Sequence, residues 1–285
     1  MKSLFKRIAR RFSITRAKPG GRPAAPTDPD FLDRKRAKLE RIGPLLDDAL
    51  PHERELLFYD FLTEELRREF NIAATENISA HGYDNEAEAI IGRFSDGFIL
   101  DCGAGYRADY LDNVVNFEIC DYPSTDVRGV GERLPFHTGA FDAVFSFSVL
   151  EHVRDPFACA KELVRVLKPG GQLYCVVPFL QPFHAYPHHY YNMTAQGLAN
   201  LFGDAVEVER QEVNTGGMPI FMLTWVLRRW ADGLSGAARR EFLELKVADL
   251  LAAPASFLER GFVTELERNC RFELAATTSL FARKV

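Results

Sequence analysis

The stretch Phe98-Ile99-Leu100-Asp101-Cys102-Gly103-Ala104-Gly105 decides the fold of this chain. An apolar run ends in a carboxylate, and two glycines follow at once in a G-x-G turn. Open α/β sheets bind small molecules at the carboxyl ends of their strands, and glycine lets the backbone approach a ligand closely. The pattern therefore predicts a buried parallel strand that carries a binding turn, Gly103 and Gly105, to the head of such a sheet. A purely structural strand and turn is the bland alternative.

Gly103-Ala104-Gly105-Tyr106-Arg107-Ala108 also satisfies the dinucleotide pattern G-x-G-x-x-G/A. A dinucleotide sets its pyrophosphate against the following helix N-terminus, and a carboxylate just before the first glycine repels that phosphate. The same carboxylate suits a cationic ligand with an amino group and a sulfonium, which describes S-adenosylmethionine. This segment alone leaves both cofactors open.

Val114-Val115-Asn116-Phe117-Glu118-Ile119 predicts a second buried strand with a carboxylate near its end. Then come Gly129-Val130-Gly131-Glu132-Arg133-Leu134-Pro135-Phe136, Phe141-Asp142-Ala143-Val144-Phe145-Ser146, Leu150-Glu151-His152-Val153 and Arg165-Val166-Leu167-Lys168-Pro169-Gly170-Gly171. With this ordered set, from about Gly82 to Thr194, the chain resembles the class I S-adenosylmethionine-dependent methyltransferases. The group it resembles is the large type 11 one, marked by LPF, FDxV, LEHV and RVLKPGG.

That resemblance implies an α/β fold, Rossmann-like, with a doubly wound and mostly parallel seven-stranded sheet. The implied strand order is 3-2-1-4-5-7-6, the seventh antiparallel, with a helical N-terminal extension and a helical insertion before the last strand. It also implies S-adenosylmethionine as cofactor. Asp101, Gly103 and Gly105 should surround its amino-acid end, and Glu118 should accept hydrogen bonds from both ribose hydroxyls, a role suited to an ionised carboxylate. Gly131 and Glu132 fall where the family packs the adenine, and Ser146 and Phe147 where it lines the methionine end. Val130 departs from the pattern, because the family often has Asp there; backbone groups would then have to receive the adenine amino group.

Other motif residues have structural readings. Glycine after Leu167-Lys168-Pro169 suits a helix end, with Lys168 at the negative end of the helix dipole. His152 is expected to pack at a helix start rather than act as a base, and Asp142 to end a turn.

The segment from Pro178 to Asn192 directly follows the expected fifth strand and is crowded with Phe, Tyr and His. Aromatic rings offer apolar walls for an acceptor, and histidine exchanges a proton near neutral pH. His184 and His188 are the candidate catalytic residues, and Tyr83 and Tyr106 are candidates for the pocket rim. His184, His188 and His189 have ligand-like spacing, but no cysteine or acidic cluster joins them and prolines break the register. No metal site is expected.

Composition agrees with an enzyme core: 285 residues at 47% hydrophobic content suffice for one large domain with embellishments. The five scattered cysteines form no disulfide or metal framework, which points to a reducing, cytoplasmic setting. The whole chain carries a net charge of −5, yet its start is rich in Lys and Arg. There Leu4, Phe5, Ile8 and Phe12 share a helical face with cations around them, the pattern of a helix lying on an anionic membrane surface. A solvated basic tail is the plainer reading. No aromatic residues interleave with the basic ones as a base-stacking platform requires, so nucleic acid is not an expected partner.

The expected organisation is a basic tail and linker over 1–30, a helical extension over 31–76 with an amphipathic stretch from Glu53 to Phe70, and a methyltransferase domain over 77–285. Within the last, 217–270 forms a helical insertion or lid, with strands expected over Ala205–Arg210 and Ala275–Arg283. The expected function is methyl transfer from S-adenosylmethionine to a small-molecule or glycan acceptor, at oxygen. A catalytically silent S-adenosylmethionine-binding module is the alternative.

Overall fold

Ile99–Cys102 (β3) is the central strand of the sheet, as its apolar run predicts, and all four of its residues are buried. The structure is a computed structural model describing residues 28–73, 79–184 and 187–284. The basic start of the chain, with Leu4, Phe5, Ile8 and Phe12, lies outside the described residues.

β3 pairs in parallel with Val114–Glu118 (β4) on one side and Phe141–Phe147 (β6) on the other. Beyond β4 lies the short Val127–Arg128 (β5), and beyond β6 lies Leu167–Val176 (β7), both again parallel. Alternate residues of these strands feed two cores. Leu100, Val115, Phe117 and Val144 pack with helices Pro29–Ile42 (α1), Pro156–Val166 (α4) and Ala195–Phe202 (α5). Ile99, Val114, Ala143 and Phe145 pack on the opposite face with Asn85–Arg93 (α3). The sheet is thus covered on both faces, which is why its strands are near-continuous hydrophobic runs.

The sheet has seven strands, but two of them are not those expected. The order is β1-β2-β5-β4-β3-β6-β7, and the first pair comes from the N-terminal extension. Glu53–Arg54 (β1) and Tyr59–Asp60 (β2) form the one antiparallel strand pair among the described residues, with β2 laid parallel to β5. The expected helix over this stretch is overridden by tertiary pairing. The Tyr59 amide donates to Asp126 O at 3.0 Å and the Phe61 amide to Arg128 O at 2.8 Å, completing what would otherwise be an open sheet edge. Only Glu64–Glu69 (α2), capped by the Thr63 side chain, keeps the helical reading.

At the other end, Ala205–Arg210 and Ala275–Arg283 form no strands. The expected antiparallel seventh strand is therefore absent from the described residues, and the helical segment is not an insertion between strands. The glycines of Leu167–Gly171 do not cap α4 either. The helix stops at Val166, and Leu167 enters β7 with a register shift against Phe141 and Ala143. Lys168 pairs with Asp142 at 2.8 Å on the surface, a structural role.

The chain divides into two compact units, Leu180–His184 with Glu212–Val285 being the second. That unit has its own core, built from Pro219–Asp232 (α6), Gly236–Glu244 (α7), Gly261–Thr264 (α8) and Arg268–Glu273 (α9). Ala231, Leu234, Phe242, Phe262, Leu266 and Cys270 fill it, and Trp230 stacks on Phe242 at 5.6 Å while its indole N–H donates to Phe262 O. Among the described residues, no helix is long and apolar enough to cross a membrane.

Candidate cofactor and acceptor site

The strand order reverses direction between β3 and β6, and at such a point the two following loops diverge and leave a crevice at the strands' carboxyl ends. The glycine turn lies there. Gly103 and Gly105 have φ of +76° and +63°, a region that disfavours side chains. A Cβ on Gly103 would stand 2.3 Å from Val149 Cγ2, and one on Gly105 2.6 Å from Ser79 O. Both glycines are therefore required by backbone conformation and by close approach.

Glu118, at the end of β4, organises this turn. Its Oε2 accepts the Gly105 amide and its Oε1 the Ile119 amide, both at 2.8 Å. Desolvation pushes its carboxyl above the usual carboxylate range, against the pull of the Gly105, Ile119 and Cys120 amides. Three amides on about four acceptor sites leave the carboxyl capacity for a ligand hydroxyl. Because the Gly105 amide already holds a carboxylate oxygen, it is not free to cradle a pyrophosphate, which argues against the dinucleotide alternative.

Asp101 is fully buried, and Arg107 is 3% exposed beside it. Arg107 Nε and Nη2 donate to Asp101 Oδ2 at 2.9 and 2.6 Å, Tyr83 Oη donates to the same oxygen at 2.7 Å, and Arg107 Nη1 reaches His81 O at 2.6 Å. Burial disfavours the guanidinium charge, and the Asp101 carboxylate more than offsets that. Asp101 Oδ1 is buried without a partner. The carboxylate that looked available to a cationic ligand is thus half spent on an internal ion pair, with one oxygen left. Sequence reading missed Arg107; its only signal was a basic residue two positions after Gly105, in a stretch that otherwise looked like turn.

Gly131 approaches this region as well, since a Cβ there would stand 2.8 Å from Cys159 Sγ and 3.7 Å from Cys102 Sγ. Glu132 is turned elsewhere: its Oε1 accepts the Arg154 amide at 3.0 Å and the Asp155 amide at 3.4 Å, ahead of α4. Ser146 is buried at the end of β6 with its Oγ unpartnered. Phe147, the next residue, faces the other side of the sheet and packs on Phe145 and Tyr174 at 5.2 and 4.9 Å, in the α3 core.

The loop after β6 carries Glu151 and His152. The aromatic segment after β7 is tied to it: the Tyr190 amide donates to Glu151 O at 2.7 Å, and His152 Nδ1 pairs with His188 O. His188 Nε2 lies 2.9 Å from Asn71 O, and Asn71 Nδ2 donates to Tyr190 Oη at 3.1 Å. Three distant pieces of sequence thus meet at one edge of the first unit. His184 belongs to the second unit, where its Nδ1 lies 2.7 Å from Pro182 O and its ring 5.5 Å from Trp225.

Residues 100–175 match the model of a family described as a methyltransferase domain. An uncharacterized methyltransferase of Mycobacterium sp. (strain JLS) is 34% identical over 94 residues, which is 33% of this chain and 34% of that protein. A ubiquinone biosynthesis O-methyltransferase of Xanthomonas oryzae pv. oryzae (strain PXO99A) is 46% identical over 48 residues, 17% of this chain and 20% of that one. Among solved structures, the YcgJ protein of Bacillus subtilis is similar at a TM-score of 0.34 and 16% identity, over 54% of this chain and 87% of that chain. The chain spans about a third or less of the length of these curated relatives. Residues 100–175 thus carry a methyltransferase domain, similar to the class I, S-adenosylmethionine-dependent ones.

Its cofactor, S-adenosylmethionine, fits what the crevice offers. Asp101 Oδ1 is a buried acceptor without a hydrogen-bond partner, suited to an ammonium, the tightly packed glycine turn follows it directly, and Glu118 keeps acceptor capacity for a ligand hydroxyl. Replacing Glu118 by alanine is expected to weaken cofactor binding about ten- to a hundredfold, the worth of charged hydrogen bonds of about 1.5–3 kcal/mol. Calorimetry with S-adenosylmethionine measures this, and unchanged affinity in a folded variant would make Glu118 a purely structural brace.

Proposed function

We propose that this protein transfers a methyl group from S-adenosylmethionine to an oxygen of a small-molecule or glycan acceptor. The observation that carries the reading is the junction of the aromatic segment with the loop after β6, beside the glycine turn. Tyr190 and Tyr191 are 38% and 43% exposed, and their rings lie 6.2 Å apart. Such a half-open aromatic surface suits the apolar faces of a ring-shaped acceptor, and the neighbouring His188 supplies polar contact. The partial likeness to an O-methyltransferase supports oxygen as the atom methylated.

The bound cofactor supplies an activated methyl group on its sulfonium. The chain's own task is to hold the acceptor in line with it and to receive a proton if the nucleophile arrives protonated. The basic start of the chain is proposed to hold the protein near anionic lipid, the source of a lipid-linked acceptor.

Mass spectrometry of candidate hydroxyl compounds and glycans, before and after incubation with labelled cofactor, tests the reading. His188→Ala is expected to lower turnover about tenfold or more while leaving cofactor affinity unchanged. Equal turnover in the folded variant would remove His188 from the acceptor site.

A further inference from the structure

Glu151 is fully buried, and neither of its carboxyl oxygens has a hydrogen-bond partner. A finished fold rarely leaves a carboxyl group in that condition, because burying it without partners is costly and an isosteric amide or an apolar side chain would serve packing better. Its position is specific. The loop that bears it presses Val149 against Gly103 of the cofactor turn, and its own carbonyl receives the amides of Tyr190 and Tyr191 from the proposed acceptor segment. Glu151 therefore stands between the two ligands of the proposed reaction.

We propose that Glu151 is the proton-accepting group of this site, discharged when the cationic cofactor arrives and recharged by the acceptor hydroxyl. The proposal rests on the function proposed above. Within the first unit, the titratable groups that face Glu151 are His152, whose Nε2 is 3.8 Å from Oε1, and the Cys175 thiol on β7, itself pushed up by burial and by Glu151. Neither is a fixed positive charge, and burial pushes the Glu151 carboxyl up to about 8. At neutral pH the group is then mostly protonated. A sulfonium placed in the crevice favours the carboxylate by direct attraction, so the proton leaves as the cofactor binds. In the transfer step the acceptor oxygen forms its bond to the methyl carbon and the carbon–sulfur bond breaks. The sulfur keeps that electron pair, and the hydroxyl proton passes to the Glu151 carboxylate.

The test needs no acceptor. Binding of S-adenosylmethionine to the full chain at pH 7 is measured calorimetrically in buffers of different ionisation enthalpy, alongside binding of S-adenosylhomocysteine, whose sulfur is neutral. The expected result is net proton release with the cation and about none with the neutral product. Both ligands place the same ribose on Glu118, so any contribution from that carboxyl cancels in the difference. E151Q should bind the cation with release abolished, and E151D should retain release.

Equal proton release with the two ligands, or release that persists in E151Q, overturns the assignment. Absence of binding by folded wild-type protein overturns the cofactor reading itself, a distinct outcome. The wild-type comparison of the two ligands decides the matter even if E151Q does not fold.

Discussion

Arg107→Ala is expected to destabilise the sheet unit by about 3–5 kcal/mol, although Arg107 lies outside the residues that a motif search selects. The wild-type pair is closed except at Asp101 Oδ1: Asp101 Oδ2 takes two guanidinium donors and the Tyr83 hydroxyl, and the remaining Arg107 nitrogen is bound to a carbonyl. Taking the guanidinium away leaves a carboxylate that is fully buried with only a phenol beside it. The large figure measures that stranded charge and not the net worth of the ion pair. Replacing both partners, as Asp101→Asn with Arg107→Met, should therefore recover most of the loss. Urea unfolding of the wild type, the single variants and the double variant measures the coupling directly. A double variant no better than Arg107→Ala alone would show that Arg107 acts through packing against Tyr83, whose ring its guanidinium overlies at 4.2 Å, and not through Asp101. Cofactor binding should suffer with stability, since the same pair fixes the strand end that precedes the glycine turn.

The central strands were legible in the sequence because each is a short apolar run closed by a residue with a single chemical job. Asp101 before the glycines and Glu118 at the end of the next run marked the heads of β3 and β4, and positions 99–102 and 114–118 follow suit. Helix starts were legible for the same local reason, as at Thr194, whose side chain accepts the Gly197 amide at 3.0 Å. The edge strands were not. β1 and β2 are two residues each, and β2, on which β1 pairs, is held by backbone bonds to β5 far along the chain, so the amphipathic spacing over 53–70 favoured a helix that tertiary pairing replaces. The resemblance misled at the other edge, where Ala205–Arg210 and Ala275–Arg283 stay out of the sheet. Side-chain partnership was the least visible. Nothing in the spacing says that Arg107 turns back on Asp101, that Glu132 serves the start of α4, or that the Glu151 carboxyl has no hydrogen-bond partner.

The same blindness covers a charged cluster under α1, where the second large effect is expected. Lys35 and Lys38 lie on that helix at an exposure of 0% and 1%, a rare place for lysine. Lys38 Nζ stands 2.6 Å from Asp126 Oδ2 and Lys35 Nζ 4.0 Å from Oδ1, and Asp126 also accepts the Asn116 amide at 2.9 Å and the Tyr110 hydroxyl. One carboxylate therefore compensates two buried ammonium groups and pins the N-terminal helix to β4. Asp126→Asn should cost about 3–5 kcal/mol at neutral pH, because both cations then lose their counter-charge. The pH dependence fixes the cause. Burial already lowers Lys38, and it lowers Lys35 to about 8. Without Asp126 both fall further, so the folded variant binds fewer protons than its unfolded chain over the range from below 8 up to the ordinary lysine value of about 10.4. Stability rises with pH wherever the unfolded state binds more protons, so the deficit of Asp126→Asn should shrink as pH is raised from 7 towards 10. Urea unfolding midpoints of wild type and variant across that range test this. A deficit that stays constant with pH would assign the loss to the Asn116 and Tyr110 hydrogen bonds instead of to the two lysines.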